Sequence, residues 1–281
     1  MIGIFGAFGR TGRAVATQLR AAGRSVRLIA RNPARAGEAD AVVANLRDEG
    51  ELVRALNGVQ SVYALLPDDF SEPHFHAERR AMARALASAI RRTSVERAVL
   101  ISSSAAALGE GLAADLSYLE GALLESPASI TILRACYFQD NVLELRPIAE
   151  RDGMYPNFFA DRDAEIPTIA AADVGAIAAR ILLDPAPVRH EIVDLVGPVY
   201  TPSRMAAALA ESIARPLSFV DVPAAQQEAM FQQAMSPEAA RAMVATLSCL
   251  GSQRITLRGQ RIEHGEVRLE QTLSLAPEAR R

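Results

Sequence analysis

Residues 1–12 read MIGIFGAFGRTG, and this stretch decides the predicted fold. The apolar run Ile2–Phe5 predicts a short strand over Ile2–Gly6, and Gly6, Gly9 and Gly12 fall at intervals of three directly behind the run. Glycine costs backbone entropy, so such a cluster is expected where the chain needs a positive φ or where another group approaches the backbone. A helical pattern with one apolar face comes next. The order of strand, glycine turn and helix predicts the start of a βαβ unit.

Strand-like and helix-like segments alternate over the first two-thirds of the chain. Strands separated by helices of this length are joined by right-handed crossovers, which build a parallel sheet with helices on both faces. The sequence therefore predicts an α/β fold with a doubly wound parallel sheet. The predicted strands after the first are Ser25–Ala30, Ala41–Ala44, Gln60–Leu66, Val95–Ser102 and Ser129–Arg134, and the predicted helices are Arg10–Ala22, Asp48–Leu56, Glu72–Arg92 and Ala113–Leu124.

The alternation loosens after about residue 150. Residues 151–165, RDGMYPNFFADRDAE, are predicted as loop and turn. We therefore divide the chain into a first domain over residues 1–150 and a smaller, mostly helical part over residues 151–281, which is interleaved with the first and covers the carboxyl edge of its sheet. The elements predicted in this part are a helix over Ala172–Leu183, a strand over His190–Val196, a helix with Thr201 as N-cap and Pro202 in its first position, a strand in PLSFVDVP, and helices up to about Leu250.

The glycine turn has the form of an anion site. A turn between a strand and a helix leaves amide N–H groups exposed next to the positive end of the helix dipole. In a dinucleotide-binding turn, Gly6 would allow the sharp bend, Gly9 would let a diphosphate approach, and Gly12 would let the helix pack on the strand. The alternative is a plain tight turn with one packing glycine. The predicted cofactor site also includes the remaining residues of the turn, Phe8, Arg10 and Thr11.

The end of the second predicted strand indicates which dinucleotide binds. A carboxylate there usually holds a free ribose 2′-hydroxyl, whereas an arginine accommodates a 2′-phosphate. Arg31 occupies this position, and the first carboxylate after Gly12 is Glu38. A guanidinium forms bidentate bonds to phosphate, so we expect NADP(H) in preference to NAD(H). The alternative is that Arg31 only caps a loop.

Composition excludes several classes of function. The 281 residues carry a net charge of −3, which gives no indication of nucleic acid as a partner. The two cysteines, Cys136 and Cys249, match neither a disulfide framework nor a zinc pattern, so a reducing cytoplasmic location is expected and no metal site is predicted. We expect no signal peptide, and no apolar run approaches the ~20 residues that span a bilayer.

The sequence resembles the NmrA-like proteins, which are atypical relatives of the short-chain dehydrogenases/reductases. The resemblance covers at least residues 1–222, and its motifs are, in order, IGIFGAFGRTG, VRLIARNP, LNGVQSVYALLP, VERAVLISS, YLEGALLES, ITILRACYFQDN and EIVDLVGPVYTPSRMAAAL. It implies a Rossmann-type domain, a small C-terminal domain and NADP(H) as the usual ligand. Arg31 matches the phosphate-binding arginine of the family, and Asn45 stands near a family aspartate that lies close to the adenine. Some members reduce quinones, dyes or similar small molecules, whereas others bind the dinucleotide without turnover and regulate partner proteins.

The carboxyl ends of parallel strands bind ligands in open α/β sheets, and several predicted site residues lie there. Tyr137 and Phe138 are expected to face the pocket above the sheet, and Asn141 to orient an amide or carbonyl, although Phe138 is equally compatible with core packing. The predicted cofactor contacts at this edge are Leu66, Pro67, Ser102 and Tyr137, and the predicted substrate contacts are Phe138 and Asn141.

Reduction of a carbonyl usually needs a proton donor, and the relatives of this family commonly use Tyr-x-x-x-Lys. The chain contains no lysine, and Ala122 stands four residues after Tyr118. Tyr118 is therefore a candidate donor without its usual partner, or a packing residue. His74 and His76 form H-x-H after the fourth strand, and His74 is a second candidate donor unless it is simply exposed.

A serine cluster at residues 102–104 ends the fifth predicted strand. Ser103 is a candidate for orienting a substrate carbonyl, and the alternative is that small residues let the chain turn past the nicotinamide. The site architecture and the missing lysine together favour an NADP(H)-dependent reductase of a small quinone-, enone- or carbonyl-type substrate that acts mainly by positioning. An isomerase or dehydratase that keeps its cofactor bound, with His or Ser moving protons, is a further alternative. A non-catalytic, redox-sensing NADP(H)-binding regulator of a partner protein explains the same residues. A homodimer is compatible with either function.

Overall fold

The computed structural model describes residues 1–31, 41–186, 188–251 and 254–274. Glu38, the first carboxylate after the glycine turn, lies outside the described residues. None of the helices in the described ranges is long and apolar enough to cross a membrane.

The main sheet has eight strands, and every neighbouring pair in it is parallel. Its order is β13-β10-β6-β5-β4-β1-β2-β3, so the strand order reverses between β1 and β4. At this junction Ile4 pairs with Leu28 on one side and with Tyr63 on the other. The strands are β1 (Ile2–Phe5), β2 (Val26–Ala30), β3 (Ala41–Val43), β4 (Ser61–Ala64), β5 (Arg97–Ser103), β6 (Ser129–Ala135), β10 (His190–Val196) and β13 (Arg261–His264).

Helices cover both faces of this sheet, which confirms the doubly wound α/β prediction. On one face, α1 (Arg10–Ala21) and α7 (Ala171–Leu183) bury their apolar sides against β1, β4 and β5. The two helices approach closely, because a Cβ added at Gly175 would lie 2.4 Å from the Cβ of Ala14. On the other face lie α2 (Glu49–Ala55), α3 (Phe75–Arg91) and α4 (Ala113–Leu124). A short 3₁₀ helix, Ser104–Leu108, joins β5 to α4.

Most of the elements after β6 pack around a third apolar cluster, which includes Val142, Tyr155 and Leu209. Two small sheets contribute to this part, β11-β9-β7 and β12-β8. The elements are β7 (Tyr137–Phe138), α5 (Asp140–Leu143), α6 (Arg146–Asp152), β8 (Met154–Asn157), β9 (Ile166–Ile169), β11 (Val199–Tyr200), α8 (Pro202–Ser212), β12 (Ser218–Asp221), α9 (Ala224–Phe231), α10 (Pro237–Gly251) and α11 (Leu269–Ser274).

The prediction of loop and turn over residues 151–165 was wrong in part. Met154–Asn157 forms β8, which pairs in parallel with β12 in a segment about sixty residues further along the chain. Tyr155 in this strand is buried and stacks on Phe219 of β12, with ring centroids 5.6 Å apart. Gly153 before the strand and Pro156 within it are local signals for a turn. The sequence pattern therefore did not predict a strand, whose conformation depends on a partner far along the chain.

Two further differences concern boundaries. The helix predicted from Glu72 begins at Phe75, because the residue before Pro73 is disfavoured in the helical region. Strands β10 and β13 of the main sheet and helix α7 on its β1 face also come from the chain after residue 150. The division of the chain at residue 150 stays a prediction.

Candidate functional site

The glycine turn between β1 and α1 is built from close backbone contacts. Gly6 has φ +60°, and a Cβ there would lie 2.5 Å from Cδ2 of Leu65. The Gly9 amide donates to the Gly6 carbonyl at 2.8 Å. A Cβ at Gly12 would lie 2.3 Å from the same carbonyl oxygen. A side chain at Gly12 would therefore push α1 away from the end of β1, and one at Gly6 would collide with the Leu65 side chain.

The N-terminus of α1 is left open by this arrangement. Its N-cap residue is Gly9, and none of the described side chains forms a capping hydrogen bond there. The first-turn amides of a helix have no partner within the helix, and the helix dipole places partial positive charge beside them. The turn and the first residues of α1 together form a site suited to a phosphate group.

A cavity of about 250 Å³ opens beside this turn, between the carboxyl ends of β1, β2 and β4. It lies where the strand order reverses, which is the place where doubly wound sheets bind ligands. Five of the predicted cofactor residues line the cavity, whereas Leu66 is buried in the core. The lining residues are Phe5, Gly6, Ala7, Phe8, Gly9, Ile29, Ala30, Arg31, Ala44, Leu46, Leu65 and Pro67.

Arg31 stands at the β2 end of this cavity. Its side chain is 63% exposed, and its Nη1 lies 3.8 Å from Oδ2 of Asp69. Asn45, expected near the adenine, is held by local contacts: its Oδ1 accepts from the Arg47 backbone N–H at 3.0 Å, and its own backbone N–H donates to Oε2 of Glu51 at 2.8 Å. The sequence analysis missed Asp69, which belongs to the segment after β4.

A second polar cluster joins the glycine turn to α5. The Arg10 guanidinium forms an ion pair with Glu144 and donates to Oδ1 of Asn141 at 3.3 Å. Tyr137 lies beside Asn141, and burial of its hydroxyl raises the pKa of Tyr137 to about 12. The structure thus brings together three predicted site residues, Arg10, Tyr137 and Asn141, with Glu144, which the sequence analysis missed.

Thr11 and Phe138 contact buried groups beneath the turn. Thr11 lies against the hydroxyl of Tyr63, a fully buried residue whose pKa is raised by burial. Phe138 packs on the apolar cluster beneath α1 and α7. Tyr137 instead contacts Phe159 edge-on, with ring centroids 5.6 Å apart.

Tyr118 lies on an exposed side of α4. Its residue exposure is 39%, and the Arg80 guanidinium sits over its ring at 5.8 Å from the centroid. It is not among the residues that line the 250 Å³ cavity. The contact with Arg80 is a cation–π interaction of the kind that exposed tyrosines commonly make.

Ser102 and Ser103 are both engaged in structural hydrogen bonds. The Ser102 hydroxyl donates to Glu120 at 2.5 Å, and Glu120 forms a two-pronged, largely buried ion pair with Arg134 at 2.6 and 3.1 Å. The Ser103 oxygen accepts from the Ala105 amide at 3.2 Å at the start of the 3₁₀ helix. The Ser102 hydroxyl therefore hydrogen-bonds to the Glu120–Arg134 ion pair. The sequence analysis did not predict this ion pair.

The two histidines after β4 have different surroundings. His74 is the exposed N-cap residue of α3 and makes no capping side-chain bond. His76 places Nδ1 2.6 Å from Oδ2 of Asp115, a fully buried carboxylate that also contacts Arg79 and Arg80. The described ranges contain no group of three or more His, Cys, Asp or Glu that could hold a metal ion. An orienting carboxylate is thus present for His76, whereas the role assigned to His74 stays a prediction.

Comparison with known proteins agrees with the geometry of the turn. A family model described as NAD(P)H-binding matches residues 6–185. The chain belongs to this NAD(P)H-binding family. The match begins at the glycine turn and ends just after α7, so it includes both helices that pack on the β1 face of the sheet. No curated protein matches the sequence.

Solved structures share the fold of this NAD(P)H-binding protein. An NADPH-dependent quinone oxidoreductase from Escherichia coli, complexed with NADPH, has a TM-score of 0.76 and 23% identity over 92% of this chain and 91% of that one. Triphenylmethane reductase from Citrobacter sp., complexed with NADP(H), has a TM-score of 0.74 and 17% identity over 92% of each chain. A nucleoside-diphosphate-sugar epimerase from Staphylococcus aureus has a TM-score of 0.75 and 16% identity over 97% of this chain and 99% of that one.

Proposed function

We propose that this protein is an NADP(H)-dependent reductase of a small quinone-, enone- or carbonyl-type substrate, and that it belongs among the NmrA-like members of its family. The observation that carries the proposal is the cavity beside the glycine turn, with an open helix N-terminus along it and Arg31 at its β2 end. Two structural neighbours, the quinone oxidoreductase and the triphenylmethane reductase, are reductases that were crystallised with NADPH or NADP(H).

The residues present fit such a cofactor. Gly6, Gly9 and the first turn of α1 would hold the diphosphate, because Gly9 is the N-cap of α1 and no described side chain caps the amides there. Arg31 would bind the 2′-phosphate, since its guanidinium is exposed at the end of β2. NADPH, when bound, supplies a hydride from its nicotinamide ring.

The chain itself contributes mainly binding and orientation. It has no lysine, Tyr118 contacts Arg80 at the surface, and Ser102 is bonded to Glu120. A quinone or conjugated acceptor suits this arrangement, because the anion formed by hydride addition is delocalised and takes its proton from solvent without a buried acid. Positioning the acceptor against the nicotinamide then supplies most of the rate. Phe138 and Asn141 are the residues that we propose as its contacts.

The same observations fit one other function. A protein that binds NADP(H) without turnover, and that releases or recruits a partner as the redox state changes, needs no proton donor. The surface position of Tyr118 favours this reading as much as it favours an acid-independent reductase.

The experiment is a turnover assay on the purified protein with NADPH and a panel of quinones, enones and triphenylmethane dyes. NADPH oxidation that depends on one of these acceptors is expected. A matched variant, Phe138→Leu, should raise KM for the acceptor while NADPH affinity stays unchanged. Tight NADPH binding with no turnover on the whole panel would refute the reductase and support the regulator. Failure to bind either dinucleotide would refute both.

A further inference from the structure

The carboxylate of Asp69 lies across the end of the cavity where the 2′-phosphate is proposed to bind. Asp69 follows Pro67, which lines the cavity, and precedes α3. Its Oδ2 is 3.8 Å from Nη1 of Arg31, and the two side chains are 43% and 63% exposed. The segment after β4 therefore places a negative charge beside the one arginine that stands at the end of β2.

Asp69 is fixed in this position by its own turn. Its Oδ1 accepts from the Ser71 hydroxyl at 2.7 Å and from the Ser71 amide at 3.3 Å. The other carboxylate oxygen, Oδ2, remains for Arg31. The Ser71 bonds, with a smaller contribution from Arg31, hold the pKa of Asp69 below its usual value, so the group is ionised at neutral pH.

Arg47, another arginine near Asp69 among the described residues, has acidic partners of its own. Arg47 lies 3.1 Å from Glu72 and 2.8 Å from Glu78. Arg31 is thus the ion-pair partner that Asp69 has among the described residues. A dianionic 2′-phosphate that binds Arg31 must either displace the Asp69 carboxylate or share the guanidinium with it at close range, and both cost free energy.

We propose that Asp69 is a specificity-determining residue, a built-in competitor of the cofactor's 2′-phosphate for Arg31. It weakens NADP(H) binding and leaves NAD(H) binding nearly unchanged, because NAD(H) carries a neutral hydroxyl at that position. The inference rests on the proposed NADP(H) function. Its consequence is that the protein releases NADP⁺ faster than the Arg31 contact alone would allow.

The test measures Kd for NADPH and for NADH by fluorescence titration of the wild-type protein and of Asp69→Asn. Asparagine keeps the oxygen that accepts from Ser71 and removes only the charge. We expect NADPH to bind about threefold to tenfold more tightly, as for removal of one partly screened like charge, with NADH changed less than twofold. The dissociation rate of NADPH, measured by stopped-flow displacement, should fall by the same factor.

A matched control separates this effect from a general change in net charge. Glu228 is 42% exposed and lies 3.6 Å from Arg241 on α10, away from the cavity lining, so Glu228→Gln removes an equivalent ion pair. Its NADPH-to-NADH affinity ratio should equal that of the wild type. Asp69→Ser, which retains a hydroxyl in the turn, repeats the test should the asparagine variant fold poorly.

The outcomes are distinct. A ratio that is raised in both Asp69 variants and unchanged in Glu228→Gln supports the proposal. An unchanged ratio, a parallel gain for both dinucleotides, or weaker NADPH binding overturns it while the NADP(H) function stands. If wild-type protein binds neither dinucleotide, the proposed function itself fails, and the inference fails with it.

Discussion

Replacement of Gly12 by alanine tests the link between the glycine turn and the cofactor. The new Cβ would lie 2.3 Å from the Gly6 carbonyl oxygen and 2.6 Å from its carbon. Carbon and oxygen make contact at about 3.3 Å, so α1 must move by about 1 Å at its N-terminus. The obstacle is backbone on both sides and cannot turn aside, so the cost should reach the upper part of the about 1–3 kcal/mol range for overpacking.

The expected loss of stability is small on a thermal scale because the protein is large. An unfolding entropy of about 2.1 cal/mol/K per residue over 281 residues gives about 0.6 kcal/mol/K, so 2–3 kcal/mol lowers Tm by about 3–5 °C. The effect on binding should be larger, since the moved amides no longer surround the diphosphate. We expect NADPH affinity to fall at least about a hundredfold, as for loss of two charge-assisted hydrogen bonds.

A substitution at a second glycine is the control, because it should raise Tm where Gly12→Ala lowers it. Gly121 lies inside α4, and a Cβ there would have no neighbour within 4 Å. Gly121→Ala should therefore raise Tm by about 1–2 °C, because alanine favours the helix by up to about 1 kcal/mol, and leave NADPH affinity unchanged. Calorimetry and fluorescence titration measure both quantities. A Gly12→Ala protein with wild-type Tm and wild-type affinity would refute the role assigned to the turn.

Four further predictions address single contacts. Arg31→Ala should weaken NADPH binding about 10- to 100-fold, as for a charge-assisted contact, with little change for NADH; equal losses would contradict its role at the 2′-phosphate. Glu144→Gln should release Arg10 and tighten binding of both dinucleotides by up to about fivefold without changing their ratio, which the same titration would show. Glu120→Gln leaves Arg134 buried without its counter-charge and should lower Tm by about 5–8 °C, as for about 3–5 kcal/mol, in a calorimetric scan. Burial raises the pKa of Cys136 to about 11, so its thiol should resist iodoacetamide at pH 8 in the folded protein and react once urea unfolds it, as mass spectrometry would detect.

The parts of the fold that could be predicted are those with local signals. The alternation of apolar strands and amphipathic helices gave the sheet, and helix Ala113–Leu124 and strand His190–Val196 have their predicted bounds. Thr201 caps α8 by accepting from the Arg204 amide at 3.2 Å, as its sequence pattern indicates. The β8 strand could not be predicted in this way, because the strand that pairs with it lies far along the chain.

The candidate site likewise contains residues that local sequence signals placed and contacts that those signals could not predict. The glycine turn and Arg31 are readable because a strand and its following turn fix where these residues lie. The contacts that join distant segments are not: Arg10 meets Glu144, 134 positions away, and Asp69 meets Arg31 through the packing of β4 beside β1. The exposure of Tyr118 could not be predicted either, because the mostly apolar α4 sequence did not indicate which side of the helix would face solvent.

The contact between Ala14 and Gly175 has a consequence for how the protein is made. Helix α1, whose amino end we propose to face the cofactor, is supported by α7, which the ribosome adds far later. A nascent chain that has emerged only as far as β6 lacks this buttress and exposes an apolar flank, which chaperones recognise. We therefore expect the dinucleotide to stabilise the folding chain only late in translation, after α7, which ends at Leu183, has left the exit tunnel.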